Sequence, residues 1–251
     1  MTKLTISKEG GFRTQQEDDA LKKLSELFVR SPDPIETKLE NFTKYIRGQK
    51  LTRLLALYEI FKKILPTKGS VVEGGVHQGF GLMTWAHLSS VLEPTNLTRR
   101  IYGFDTFDGF PDVSEEDKTP LSSIKKGDLT AHSFEELTEL IKIYNTNRFL
   151  GHIEKVRLIN GDVTKTIPEF IQHNKHLMVS LLFLDFDLYE PTKIALEHFY
   201  PRMPKGAILA FDELDNPLWP GETTALLKTI GINSLKIKRL AFDPYIGYAV
   251  I

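Results

Sequence analysis

The 251-residue chain contains no cysteine. That alone excludes disulfides, thiolate metal sites, iron–sulfur clusters and thiol nucleophiles. An excess of one charge is also missing. Lys plus Arg number 32 and Asp plus Glu number 33, a formal net charge of −1. General nucleic-acid binders carry a basic excess, so no nucleic-acid partner is expected. Long apolar runs are absent too. The most apolar stretch, 177–184, is interrupted by Ser180 and falls far short of the ~20 residues that a spanning helix needs. Residues 1–13 are mixed polar, with no apolar segment of the kind that drives secretion. These absences predict a cytoplasmic protein without a membrane partner. What is present, 41% apolar and 26% charged residues, is globular composition, sufficient for one large core with an appendage.

Residues 1–69 read as a helical extension. Ala20, Leu21, Leu24, Leu27 and Phe28 recur at helical spacing. Ile35, Leu39, Phe42 and Ile46 make a second stripe, and Leu51, Leu54, Leu55, Tyr58, Phe61, Ile64 and Leu65 a third. Asp33-Pro34-Ile35-Glu36 reads as a helix start, with Asp33 as cap and Glu36 at the capping-box position. No chemistry-bearing cluster accompanies these stripes. They predict a cap or an oligomerisation surface, hence a homo-oligomer.

Residues 70–251 form the second predicted domain, in which strand and helix alternate. Strands are expected at 71–72, 101–104, 156–159, 179–184 and 207–211, and helices at 79–92, 133–144, 167–171, 191–199 and 223–230. Ser133 and Glu136 have capping-box spacing. A polar insert at 111–128 reads as a loop or lid. At the chain end, 235–239 and 246–251 are strand-like, and the link between them is too short for a crossover helix, so they must be antiparallel. Five βα units closed by an antiparallel hairpin predict an α/β fold. It resembles the class I methyltransferase sheet, Rossmann-like and mostly parallel, with an N-terminal helical extension.

Ligands of open α/β sheets sit outside the carboxyl ends of the strands. Every predicted strand of the alternating region ends in a carboxylate: Glu73, Asp105, Asp162, Asp185 with Asp187, and Asp212 with Glu213. Such a rim calls for a cationic or hydroxyl-rich ligand, a metal, or both. The loop from Glu73 to Gly81 is glycine-rich but lacks Gly-x-Gly-x-x-Gly, which argues against a nicotinamide oxidoreductase. Its glycines would let the backbone approach a ligand closely. Glu73 would repel a pyrophosphate and suits the cationic amino group of S-adenosylmethionine. Asp105 can accept from two ribose hydroxyls. Asp162 either accepts from the adenine amino group, with Val163 donating from its backbone, or caps the next helix. Asp185, Asp187, Asp212 and Glu213 converge if their strands are neighbours, and hard cations such as Mg²⁺ or Ca²⁺ take such oxygen ligands. A metal there would acidify an acceptor hydroxyl, and one carboxylate can serve as general base. His77 is placed to touch ligand and Tyr189 to line the acceptor, while Trp219 anchors its loop.

The segments VVEGGVHQGFG, YGFDTFDGFP, LFLDFDLYEPT and AFDELD resemble the macrocin-type (mycinamicin/macrocin) sugar O-methyltransferases, over a region from Ser70 to the C-terminus. The resemblance implies methyl transfer from S-adenosylmethionine to a hydroxyl of a sugar or glycosylated natural product, assisted by magnesium. It implies Asp185, Asp212 and Glu213 as metal ligands, Asp185 doubling as the candidate catalytic base with Asp187 beside it, and cofactor contacts from Glu73, Gly74, Gly75, Gly79, Asp105, Phe107, Asp162 and Val163. Glu213 stands where the family commonly has a second aspartate. Two other readings keep the same fold: a catechol or small-phenol O-methyltransferase, distinguished by aromatics around the acceptor, and a non-catalytic protein that binds a nucleotide-like ligand, distinguished by loss of the rim acids.

Overall fold

The computed structural model describes residues 5–6 and 12–251. The chain divides into two compact units, Met1–Leu55 and Ala56–Ile251. In the first, β1 (Thr5–Ile6) pairs antiparallel with β2 (Phe12–Arg13), a ladder the helical expectation for this region did not include. Helix α1 (Gln15–Arg30) starts with a capping box: Thr14 Oγ1 accepts from the Glu17 amide at 3.3 Å, and the Thr14 amide donates to Glu17 Oε2 at 2.8 Å. Phe28 meets Tyr45 edge-on at 4.9 Å, and Lys38 Nζ donates to the Phe28 carbonyl at 2.7 Å.

Asp33 does not cap the next helix. Pro34 occupies the cap position of α2 (Ile35–Glu40), and the Asp33 carboxylate pairs with Lys44 at 3.1 Å instead. The second stripe does not run on one helix either. Asn41 Nδ2 donates back to the Thr37 carbonyl at 2.9 Å, a local bond that competes with helix continuation, and a single 3₁₀ turn follows at Phe42–Lys44. Ile35, Leu39 and Phe42 are consequently exposed.

Helix α3 (Gly48–Ile64) begins in the first unit, and its second half belongs to the second. There follow β3 (Ser70–Gly74), α4 (Phe80–Leu92), β4 (Ile101–Asp105), α5 (Phe134–Asn147), β5 (Val156–Asn160), α6 (Val163–His173), β6 (Val179–Leu184), α7 (Tyr189–Phe199), β7 (Ile208–Phe211), α8 (Gly221–Thr229), β8 (Lys238–Arg239) and β9 (Gly247–Val250). The sheet order is β5-β4-β3-β6-β7-β9-β8. The first five strands are parallel, and β9 runs antiparallel to both β7 and β8. This is the expected class I methyltransferase sheet with its terminal hairpin. Among the described residues no helix is long and apolar enough to cross a membrane.

Strand β6 is buried along its whole length, which is why its sequence is apolar without alternation. Leu181 and Phe183 join the core on one face, with Trp85 of α4 and Ile60 and Phe61 of α3. Val179, Leu182 and Leu184 join the core on the other, with α6, α7 and α8. Each fully buried Leu or Phe contributes roughly 1.5–3 kcal/mol. Both faces of the sheet are therefore covered, and its carboxyl end is the edge left for chemistry.

Candidate active site

Sheet register fixes where the acids stand. Leu184 of β6 lies between Gly74 of β3 and Phe211 of β7. Asp185 follows Leu184 and Asp212 follows Phe211, so the two acids emerge side by side. Their amides are held by the neighbouring strand ends, Asp185 N to the Gly74 carbonyl at 2.8 Å and Asp212 N to the Leu184 carbonyl at 3.0 Å.

The glycine loop is shaped by the protein itself. A Cβ at Gly74 would run into the Phe186 ring, one at Gly75 into the Asp185 carbonyl, and one at Gly79 into Leu137. Gly75 and Gly79 also have φ of +84° and +83°, where a side chain is strained. The sequence pattern suggests ligand approach as the reason for these glycines, but the β3 loop needs them to pass close to the β6 loop and α5. Glu73 is 2% exposed and lies against the first turn of α4, its Oε1 occupying the space a Gly81 side chain would take.

Asp105 is the organiser of the neighbouring turns. Its Oδ2 accepts from the His77 amide and its Oδ1 from the Phe107 amide, both at 2.7 Å. A carboxylate has about four lone-pair sites, so both oxygens retain capacity for a ribose diol. Phe107 is buried and packs on Phe134 at 5.3 Å. Ser133 precedes α5 without capping it through its side chain, because its hydroxyl donates to the His77 carbonyl. Asp162 caps α6: its Oδ1 accepts from the Thr164 amide at 3.0 Å and hydroxyl at 2.7 Å. Burial would raise the Asp162 pKa, but the Thr164 bonds and the Lys165 ammonium outweigh it and leave the carboxyl below its usual range. Val163 follows as the first residue of α6, where amides have no partner within the helix.

The loops after β6 and β7 form an acid-rich rim. Asp187 adopts φ of +63°. Desolvation, reinforced by the fields of Asp185, Glu213, Glu222 and Asp212, holds its carboxyl well above the usual carboxylate range. Glu213 is 6% exposed and accepts from Asn216 Nδ2. Among the described residues no three His, Asp or Glu side chains stand in an arrangement able to hold a metal ion. The inferred ligands Asp185, Asp212 and Glu213 thus share one rim without forming a cage in this side-chain arrangement. The donor chemistry does suit a hard cation, since every group is a carboxyl and their charges repel.

Two residues of the site were not foreseen from the sequence. Glu222, at the start of α8, is completely buried, and its carboxylate accepts from the amides of Phe186, Asp187 and Glu213 at 3.0, 3.2 and 3.1 Å. Asp117, 2% exposed within the 111–128 insert, accepts from the Tyr189 amide at 2.7 Å and from the Ser114 amide at 2.8 Å. Its only sequence signal was the Ser114-x-x-Asp117 spacing of a capping box. Through Asp117 the insert is tied to the start of α7. A Ser122 hydroxyl bond to the Leu218 carbonyl at 2.9 Å ties it to the loop after β7, where Trp219 also meets Phe110, just before the insert, at 6.0 Å. Trp219 anchors its loop as expected. Tyr189 packs in the core cluster shared with α7 and α8, with the Lys193 and Lys228 ammonium groups over its ring. A cavity of about 480 Å³ lined by Arg100, Tyr102 and Arg157, among others, lies at the opposite, amino-terminal end of the strands and includes none of the candidate site residues.

The sequence model of the macrocin-O-methyltransferase (TylF) family matches residues 42–225. The structure of CalS11, a calicheamicin methyltransferase, shares 36% identity with a TM-score of 0.91, covering 95% of this chain and 93% of that one. An apo structure of CalS11, described as a TDP-rhamnose 3′-O-methyltransferase of calicheamicin biosynthesis, shares 34% identity with a TM-score of 0.82, covering 95% of each chain. The O-methyltransferase NovP shares the fold at 19% identity and a TM-score of 0.60, covering 93% of this chain and 96% of that one. No curated protein matches the chain.

Proposed function

Because the chain belongs to the macrocin-O-methyltransferase (TylF) family and is an S-adenosylmethionine-dependent O-methyltransferase, we propose that it methylates a sugar hydroxyl on a natural product or on the nucleotide-linked sugar that precedes one. The observation that carries this reading is the likeness to CalS11 across 95% of the chain. The acids at the end of every central strand support it, since a hydroxyl-rich acceptor and a cationic donor both suit such a rim.

S-adenosylmethionine, when bound, would supply the methyl group to the acceptor oxygen with loss of the carbon–sulfur bond, and a rim carboxylate would take the hydroxyl proton. We assign the donor's recognition to Glu73 for its amino group, to Asp105 for its ribose, and to Asp162 and Val163 for its adenine. Gly74, Gly75, Gly79 and Phe107 shape the walls. Asp162 can serve the adenine only through its Oδ2, because Oδ1 already caps α6. Asp187 and Asp185 are assigned to proton removal and to orienting the acceptor oxygen. Mg²⁺ held by Asp185, Asp212 and Glu213 would neutralise the rim and acidify a bound hydroxyl. To the insert, docked through Asp117, we assign the role of covering the acceptor side of the rim.

The donor assignment is tested by thermal shift. S-adenosylhomocysteine should raise Tm and NAD should not. Stabilisation by NAD alone would refute the assignment of these residues to S-adenosylmethionine.

Residues 1–69 are proposed to mediate self-association. Leu27, Val29, Ile35, Leu39 and Phe42 are all exposed among them, more apolar surface than a solvated cap needs. Light scattering at micromolar concentration should give a multiple of the 28.6 kDa chain mass, and a clean monomer would refute the proposal.

A further inference from the structure

We infer that Glu222 is a positioning residue for the chemical step, clamping the two acid loops to one another from beneath; this rests on the proposal that those loops carry the transfer chemistry. The carboxylate lies at the start of α8, completely buried, with both oxygens in use. Oε1 accepts from Phe186 and Asp187 at 3.0 and 3.2 Å, and Oε2 from Glu213 at 3.1 Å. One side chain thus sets the backbone of the loop after β6 and of the loop after β7. Burial, and then the fields of Asp185, Glu213 and Asp212, make an anion costly there and hold the carboxyl well above its usual range. Three amide bonds offset that cost, and an apolar core residue would avoid it altogether. What the carboxylate adds is two acceptor atoms, one for each loop.

Its own position is fixed as well. A Cβ at the preceding Gly221 would overlap Asp117 Oδ1, and it would come within 2.6 Å of the Tyr189 amide. The start of α8 is therefore pressed against the bond that docks the insert. Asp187 is the residue the clamp serves most directly. It sits at φ of +63°, a left-handed conformation that aspartate tolerates better than most residues, and its amide is one of the three donors. Glutamine has a single acceptor oxygen and turns an N–H₂ toward whichever loop it abandons. Aspartate keeps the charge but loses one methylene of reach.

The test uses full-length protein and compares wild type with Glu222→Gln and Glu222→Asp by two readouts. Amide hydrogen exchange at Phe186, Asp187 and Glu213 should accelerate roughly 10- to 100-fold in at least one loop, as expected for losing hydrogen bonds to a charged acceptor, while β6 and β7 amides keep their protection. Turnover with S-adenosylmethionine and TDP-rhamnose should fall on the order of 10²-fold, the penalty for a misplacement of about 1 Å, with KM for S-adenosylmethionine unchanged. Unaltered exchange in both variants, or accelerated exchange with normal turnover, would overturn the inference. Inactivity of wild type on TDP-rhamnose would instead count against the proposed acceptor, and the exchange pattern alone would then decide whether Glu222 is the clamp.

Discussion

Replacing Asp187 by asparagine should lower methyl transfer by ~10²–10⁴-fold, the range for losing general-base help, while affinity for S-adenosylhomocysteine stays at the wild-type level. Asparagine is a clean probe at this position. It tolerates the left-handed conformation that Asp187 adopts at φ of +63°, and the backbone bond to Glu222 is made by the amide, which the substitution keeps. Only the carboxylate is lost. Asp185→Asn should give a comparable loss for a different reason, since Asp185 is assigned as a metal ligand that orients the acceptor oxygen. Raising Mg²⁺ should therefore recover part of the Asp185→Asn activity and none of the Asp187→Asn activity. Normal turnover in Asp187→Asn together with an inactive Asp185→Asn would transfer the base role to Asp185.

Removal of divalent cations should have an equally large effect. With EDTA in excess, transfer should fall to background and return on adding Mg²⁺. The cause is electrostatic. Burial, together with the fields of Asp185, Glu213, Glu222 and Asp212, holds the Asp187 carboxyl far above its usual range. A cation relieves such repulsion, and carboxylates are what a hard cation binds. Full activity under chelation would leave shared protons, or substrate hydroxyls, as the partners of the rim.

The fold was legible where the sequence pattern had a single physical cause. Val179–Leu184 is apolar at every position but Ser180 because both faces of β6 are covered, and the strand spans the residues expected for it. The terminal hairpin followed from the short link between its strands, although β8 is only Lys238–Arg239, with Leu235 and Ile237 packing against the core outside the ladder. Local cues failed where tertiary partners outbid them. Asp33 had the spacing of a cap but found Lys44, and Ser133 had the spacing of a box but found the His77 carbonyl.

In the site, each acid at a strand end was legible because topology alone puts strand ends on one rim. Which acid meets which group was not. The glycines of the β3 loop carry the same signature whether a ligand or a protein backbone approaches them, and the Asp185 carbonyl and the Phe186 ring occupy the space. Glu222 gave no signal at all. Its amide partners lie 9, 35 and 36 residues away and contribute backbone groups, which any residue type could supply.

That this rim methylates a sugar hydroxyl is tested most directly by incubating the full-length protein with S-adenosylmethionine, Mg²⁺ and TDP-rhamnose and following both products by mass spectrometry. The nucleotide sugar should gain one methyl group for each S-adenosylhomocysteine formed. A catechol methylated under the same conditions, while TDP-rhamnose and other nucleotide-linked or glycosidic sugars are recovered unchanged, would contradict it.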